Sequence, residues 1–476
     1  MQQTGNARNR ALVRDTGLFT ISSFGSKILV FLLTPLYTSI LSTSDYGIAD
    51  LITTTINFVY PVLTIAIADA TLRYALDASN DKNEIFSVST LFTVLSVIFL
   101  LPFKSVVAHI DQTLVDYWFP FVAIYALFNI HNYFSNLVKG LGKTKLFAIQ
   151  GIVQTVTIIL SNIIFLVFCG MKLEGYLLSL MIGHVVPSVL MFFGAKLYKY
   201  IIPFRISKPL LLDMLKYSIP MIPTMLAWAI NTSIDKYMII GWYGLEESGI
   251  YSVAHKIPTV ITTVFAVFLQ AWQISAVTNH GSKDESEYYS TVYKGLDFIS
   301  VCGSLFVIII TKPLAAFLFA KDFYVAWMYV PMLIIASMFS SHAGFLAAAY
   351  RAAKKTASLF VSVLIGAVLN IVLNYFLLTS MGVMGAAVAT AVSFFAVWFV
   401  RIILIQKIVA VKIKIIPTVL TYACLLAATI ITMLDVAYAY ILCIVLLALV
   451  ILINRFVFVS FINTFINIGR KLLKKN

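Results

Sequence analysis

Charge is what this sequence has least of. Only 11% of its 476 residues are Asp, Glu, Lys or Arg, against 61% hydrophobic. Soluble domains average about 25% charged residues, so a soluble fold is excluded and the chain reads as a polytopic membrane protein. Acids are scarcer than bases, 20 against 34, which leaves a net charge of +14. That surplus does not mark a nucleic-acid binder, because the basic residues sit in short clusters between apolar runs. Cysteine is also scarce. Cys169, Cys302, Cys424 and Cys443 lie in apolar runs without a CxxC pair, which argues against disulfides and structural zinc. No HxxxH or HExxH spacing offers metal ligands, and no Gly-rich loop ends in Lys-Ser/Thr, so nothing points to ATP as the energy source. Short alternating segments are missing too. The apolar runs are continuous and about twenty residues long, which excludes a transmembrane β-barrel.

What is present is a succession of about fourteen apolar spans, from 17–41 to 437–460. Each is long enough for a hydrocarbon core of about 30 Å at about 1.5 Å per residue. Arg8, Arg10 and Arg14 precede a first span too long for a signal-peptide core, so that span is expected to be retained. Lys139/Lys143/Lys145, Lys196/Lys199/Arg205/Lys208, Arg351/Lys354/Lys355 and Arg401/Lys407/Lys412/Lys414 fall on the side of the N-terminus. The opposite loops hold Asp45, Asp111, Glu174, Glu246, Glu247, Asp322 and Asp435. The positive-inside rule then places both termini in the cytoplasm, with Trp118, Trp242 and Trp327 near the outer ends of spans. Reporter fusions at Lys143, Lys208 and Lys355 are expected to report cytoplasm, and fusions at Glu246 and Asp322 the outside. An outside signal at Lys208 would overturn this map.

An internal repeat runs through the chain. Asn162 and Gly170 recur as Asn374 and Gly382, and Lys143-Thr144 as Lys355-Thr356, all at an offset of 212. His131 and Phe134 recur as His342 and Phe345, offset by 211. The turn Asp45-Tyr46-Gly47-Ile48 resembles Glu247-Ser248-Gly249-Ile250, offset by 202. Six spans per copy return the chain to its starting side, so the copies relate by an axis along the membrane normal. The expected organisation is a bundle of six helices over 1–205, a second over 206–410, and two additional helices with a basic tail over 411–476. Two facing bundles suit alternating access, with the substrate held between them.

The stretch Asn231 to Pro258 organises the rest. An apolar helix ends in it, a short hairpin with Gly and Glu is expected, and a second apolar helix begins. It carries Asp235, Lys236, His255 and Lys256, each costly beside hydrophobic sequence. Its pattern is an acid–base pair, an apolar run, then Gly249-x-Tyr251-x-x-Ala254-x-Lys256. With Thr34-Pro35-Leu36-Tyr37, Asp322-Phe323-Tyr324 and Asn374…Gly382-x-x-Gly385, it resembles the Wzx-type polysaccharide flippases. These belong to the multidrug/oligosaccharidyl-lipid/polysaccharide exporter superfamily. The resemblance implies a MATE-like all-α transporter and not an enzyme. It also implies movement of undecaprenyl-pyrophosphate-linked oligosaccharide across the cytoplasmic (inner) membrane of a bacterium. The partners implied are that lipid-linked sugar, the bilayer, and polymerase and chain-length machinery for O-antigen, capsule or exopolysaccharide.

Depth selects the candidate residues. Lys27 lies about 18 Å into the first span, counting from Asp15, and Lys256 about 14 Å beyond Glu247 at helical rise. Each reads either as a cavity cation for pyrophosphate or as half of an interhelical ion pair. Lys236 and Arg73 complete the cationic set. Arg73 and Asp69 are one turn apart, and an i,i+4 interface pair is their simpler reading. Asp235 heads the candidates for a coupling-ion site, followed by Asp69, His131 and His342; the simpler reading of the histidines is a hydrogen bond between helices. His184 and His255, without repeat partners, take that reading alone. No cofactor is expected beyond a coupling H⁺ or Na⁺, and the sequence names neither. The rivals are a MATE-like cation/drug antiporter, whose cavity should be net acidic, and a membrane-embedded polymerase or glycosyltransferase, which generally carries a sizeable outer loop that this chain lacks.

Overall fold

Long apolar runs fold as helices because a bilayer offers nothing for backbone N–H and C=O groups to bond. A computed structural model of the chain describes residues 29, 31–77, 79–109, 112–202, 204–353 and 355–459. Its principal helices are α1 Thr34–Ile40, α2 Thr43–Leu63, α3 Ile67–Ala75, α4 Lys82–Leu100, α5 Trp118–Gly140, α6 Thr144–Asn162, α7 Leu173–Gly194 and α8 Ile222–Ala254. They continue as α9 Lys256–Thr278, α10 Glu285–Ile309, α11 Val330–Ala352, α12 Thr356–Met381, α13 Val383–Ile405, α14 Ile415–Met433 and α15 Ala439–Ile453. No strand occurs among the described residues. Nine helical runs there are long and apolar enough to cross a membrane, or ten if the bent pair α2–α3 is one span. One of the nine, Lys208–Thr278, is 71 residues long. The all-helical membrane fold is as expected; the count of fourteen includes a first span that begins outside the described residues and the short α15.

Contacts divide the chain into two compact units, Met1–Ser252 and Val253–Asn476. The division expected at 205/206 follows the repeat, whereas contact assigns α8 up to Ser252 to the first unit. In that unit, α2 starts in a capping box: Ser42 Oγ accepts from the Asp45 N–H at 3.0 Å, and the Asp45 carboxylate accepts from the Ser42 N–H at 3.2 Å. The second expected span, 47–75, is not one helix. Pro61 lies inside α2, and after Leu63 the chain passes through Ile65 and Ala66 at φ 53° and 49°, bending α3 away by 62°. Such left-handed residues cost about 1–2 kcal/mol each. They are tolerated because the backbone stays bonded, Ala66 N–H to Pro61 O at 2.9 Å and Ile67 N–H to Thr64 O at 3.1 Å. At one end of the unit Lys143 Nζ donates to Ala195 O at 2.5 Å. Burial, then the charges of Lys196 and Lys199, holds its amine below the usual lysine value.

Where a hairpin was expected, the chain breaks at a single residue. Gly244 takes φ 85° and ψ 179°, and helix continues on both sides. Beyond it, α8 meets α2 backbone to backbone. A Cβ on Gly249 would stand 2.0 Å from Thr43 O, and one on Gly47 would stand 2.2 Å from Leu245 O. Each glycine thus faces the carbonyl one turn before the other glycine, a small-residue contact of the kind that brings membrane helices close.

In the second unit α11 is central, with 78% of its apolar window buried. Trp272 of α9 stacks on Phe345 at 4.3 Å and donates its indole N–H to Phe345 O at 3.0 Å. Alanines 343, 347, 386, 387 and 389 are buried and let α11 and α13 approach. Arg401, placed by sequence in a cytoplasmic cluster, is 4% exposed. It donates to Ser362 Oγ at 2.9 Å and Ala343 O at 2.7 Å, because α13 carries it inward against α11 and α12. The repeat recurs in local geometry. Lys143 (φ −84°, ψ 56°) and Lys355 (φ −96°, ψ 57°) precede α6 and α12, and Gly170 and Gly382 take φ 64° and 63°.

Candidate functional site

The glycine contact places polar groups of α2 and α8 on one another. Three residues past Gly47 stands Asp50, and three past Gly249 stands Ser252. Ser252 Oγ donates to Asp50 Oδ2 at 2.8 Å. Lys236 Nζ reaches both oxygens of Asp50, at 3.0 and 2.9 Å, with 13% and 19% of the two side chains exposed. Thr54 Oγ1 donates to the same carboxylate at 3.4 Å. Asp235, 1% exposed, takes a hydrogen bond from Tyr251 OH at 2.7 Å and one from the Lys236 N–H at 3.0 Å. One turn before it, Asn231 is buried, and neither of its amide atoms has a hydrogen-bond partner among the described residues. Thr55 and Tyr237 share a bond of 2.7 Å alongside. The cluster therefore holds two carboxylates against one ammonium. Its carboxylate oxygens are groups that can take up a proton, while Lys236 is held by Asp50.

Adjacent residues on a helix point apart, and Asp235 and Lys236 accordingly have different partners. Lys236 is not the open cation that a pyrophosphate site requires, because Asp50 already neutralises it. Lys27 lies outside the described residues. Lys256 is half-buried at the first position of α9, and His255 before it keeps helical backbone (φ −65°, ψ −15°), so α9 follows α8 without a sharp bend there. Arg73 and Asp69 make no ion pair among the described residues. Arg73 is exposed in the last turn of α3 and Asp69 half-buried in its first, where the helix dipole favours each charge separately.

Both repeat-related histidines are buried. His131 Nε2 bonds Gln150 Oε1 at 2.8 Å, and His184 Nδ1 lies 3.4 Å from His131 Nδ1. His342 Nε2 meets Asp297 Oδ1 at 3.3 Å and Ser300 Oγ at 3.1 Å. The sequence reading missed Asp50 and Asp297 and left His184 aside. The signal that could have found Asp50 is an acid three residues after Gly47 on an apolar run. No group of three His, Cys, Asp or Glu able to hold a metal occurs among the described residues.

The profile of the polysaccharide biosynthesis protein family matches residues 12–273. The chain belongs to that family. A second profile, MatE, matches residues 220–376. An uncharacterized membrane protein of Methanocaldococcus jannaschii is 27% identical over 291 residues, 57% of this chain and 67% of that one. Among solved structures, the lipid II flippase MurJ in an inward closed conformation aligns with a TM-score of 0.69 at 18% identity, covering 94% of this chain and 99% of its own. An inward-facing multidrug resistance MATE family transporter of the MOP superfamily aligns with 0.67 at 13%, covering 82% and 98%. A MOP superfamily transporter from Pyrococcus furiosus, described as having a binding pocket of reverse polarity, aligns with 0.60 at 12%, covering 83% and 96%. This polysaccharide biosynthesis family protein thus shares its fold with these solved transporters. These solved neighbours are transporters, in keeping with the expectation that the chain is not an enzyme.

Proposed function

We propose that the protein translocates a polyprenyl-pyrophosphate-linked oligosaccharide across the cytoplasmic membrane by alternating access, for a surface polysaccharide. The observation that carries this reading is the family match over residues 12–273, which takes in the polar cluster of α2 and α8. The MurJ-like fold over most of the chain supports it. In this reading both termini are cytoplasmic, and Lys27 and Lys256 receive the pyrophosphate as point charges. An opposing ion flux resets the carrier, with Asp235 as the first candidate on the ion's path. The excess of carboxylates over ammonium around Asp50, Lys236 and Asp235 favours a second reading, a cation antiporter of MATE type.

One assay separates them. Cells depleted of the protein should accumulate lipid-linked oligosaccharide on the cytoplasmic leaflet. Lys27→Ala or Lys256→Ala, inserted at normal level, should slow its clearance by about tenfold or more, the effect of losing roughly 1.4 kcal/mol of binding. Lys→Arg should be milder and Lys→Glu worst. Normal flipping by both alanine variants would sink the cationic assignment. Cation efflux without any change in lipid-linked sugar would replace the first reading with the second.

A further inference from the structure

Asp297 and His342 belong to the second unit, and their neighbours bear on where protons can sit. His342 Nδ1 lies 2.9 Å from Met338 O, a pure acceptor, so Nδ1 carries a hydrogen. Ser300 Oγ lies 2.9 Å from Asp297 O and 3.1 Å from His342 Nε2, so its hydroxyl can donate to either, or accept from a protonated Nε2. Nε2 also faces Asp297 Oδ1 at 3.3 Å. Without a proton at Nε2, or on Asp297, lone pairs would face lone pairs in a site where the His342 side chain is fully buried. Tyr422 of α14 donates to Asp297 Oδ1 at 2.7 Å and holds the carboxylate in place.

Asp297 also lines a cavity of about 510 Å³ with Tyr293, Lys294, Lys414, Thr418 and Asn454. At about 30 Å³ per water, that space can be hydrated. The groups facing the pair are Tyr293, Lys294 and Cys302 from α10, Trp398 from α13, and Lys414 and Tyr422 from the start and body of α14. Lys294 and Lys414 are the charged ones besides the pair itself.

We infer that Asp297 and His342 form a proton-binding site, loaded from the cavity among α10, α14 and the end of α15. A proton from cavity water binds an Asp297 oxygen, passes to His342 Nε2, and returns the same way. Only O–H and N–H bonds change, and the pair moves between one net negative charge and neutrality. This rests on the reading of the chain as an ion-coupled transporter and names the ion.

The test is ¹⁵N-histidine NMR of the full-length protein in nanodiscs, between about pH 5 and about pH 8. The chain has six histidines, so variants assign the signals. The expected result is a doubly protonated imidazole within that range, lost in His342→Gln and replaced by a neutral ring in Asp297→Asn. His342→Asn is the second variant if the first does not fold. An imidazolium signal that survives both His342 variants, or none in the wild type across the range, overturns the site. So does one unchanged by Asp297→Asn. No lipid-linked sugar enters this measurement, so its failure leaves the flippase reading standing, and failed flipping leaves the proton site standing.

Discussion

Gly249→Ala is expected to unfold the first unit's helix contact, while Gly241→Ala, eight residues earlier on α8, is expected to be harmless. The difference lies in what the new methyl meets. At Gly249 it would stand 2.0 Å from Thr43 O and 3.0 Å from Gly47 N, both backbone atoms that no rotamer can move aside. At Gly241 nothing lies within 4 Å, and φ is ordinary. Overpacking costs about 1–3 kcal/mol where side chains can shift, so a clash with backbone should exceed about 3 kcal/mol. The helix-propensity gain of about 1 kcal/mol is the same in both variants and cannot offset it. Gly47→Ala should behave like Gly249→Ala, since its methyl would stand 2.2 Å from Leu245 O. Thermal melting of detergent-solubilised protein checks this. Equal melting temperatures for Gly249→Ala and Gly241→Ala would show that α2 and α8 do not meet at the glycines.

The second large effect is expected at Lys236. Lys236→Met should destabilise the unit by about 3–5 kcal/mol, because it leaves the Asp50 carboxylate mostly buried without its ammonium partner. The bond distances say why: Asp50 loses two contacts near 3 Å and keeps Ser252 and Thr54. Asp50→Asn combined with Lys236→Met removes both charges at similar volume and should recover most of that stability. The cycle should give a coupling of more than about 1 kcal/mol, since the residues touch. Transport should stay lost in the double variant, for it restores packing and not charge. A double variant that transports normally would make the pair merely structural. Additive effects would mean that the two side chains do not interact.

The helices were legible because hydropathy is local and a membrane leaves few alternatives. The break after α2 was not. Pro61 warns of a kink, but nothing about Ile65 or Ala66 by type predicts left-handed backbone. Repeat positions were legible where geometry recurs, as at Lys143 and Lys355, and the burial of His131 and His342 follows from equivalent places on α5 and α11. Their partners were not legible: Gln150 of α6 and His184 of α7 in one case, Ser300 and Asp297, both of α10, in the other. Lys236 showed as a costly charge, yet its neutralising acid lies 186 positions away. Depth along a span identifies a charge that needs company, and only packing says which.

The glycine contact has a consequence for symmetry. Asp50 and Ser252 are separated by 202 positions, the same offset that relates Gly47 to Gly249. Copies of one turn motif therefore meet at like positions, as in an isologous dimer, where a residue on the axis faces its own duplicate. Two identical chains could place there only aspartate on aspartate or serine on serine. The first pairing sets like charges together, and the second carries none for Lys236 to find. A fused chain can write the two copies differently, and one acid opposite one hydroxyl is an arrangement that only joined copies can encode.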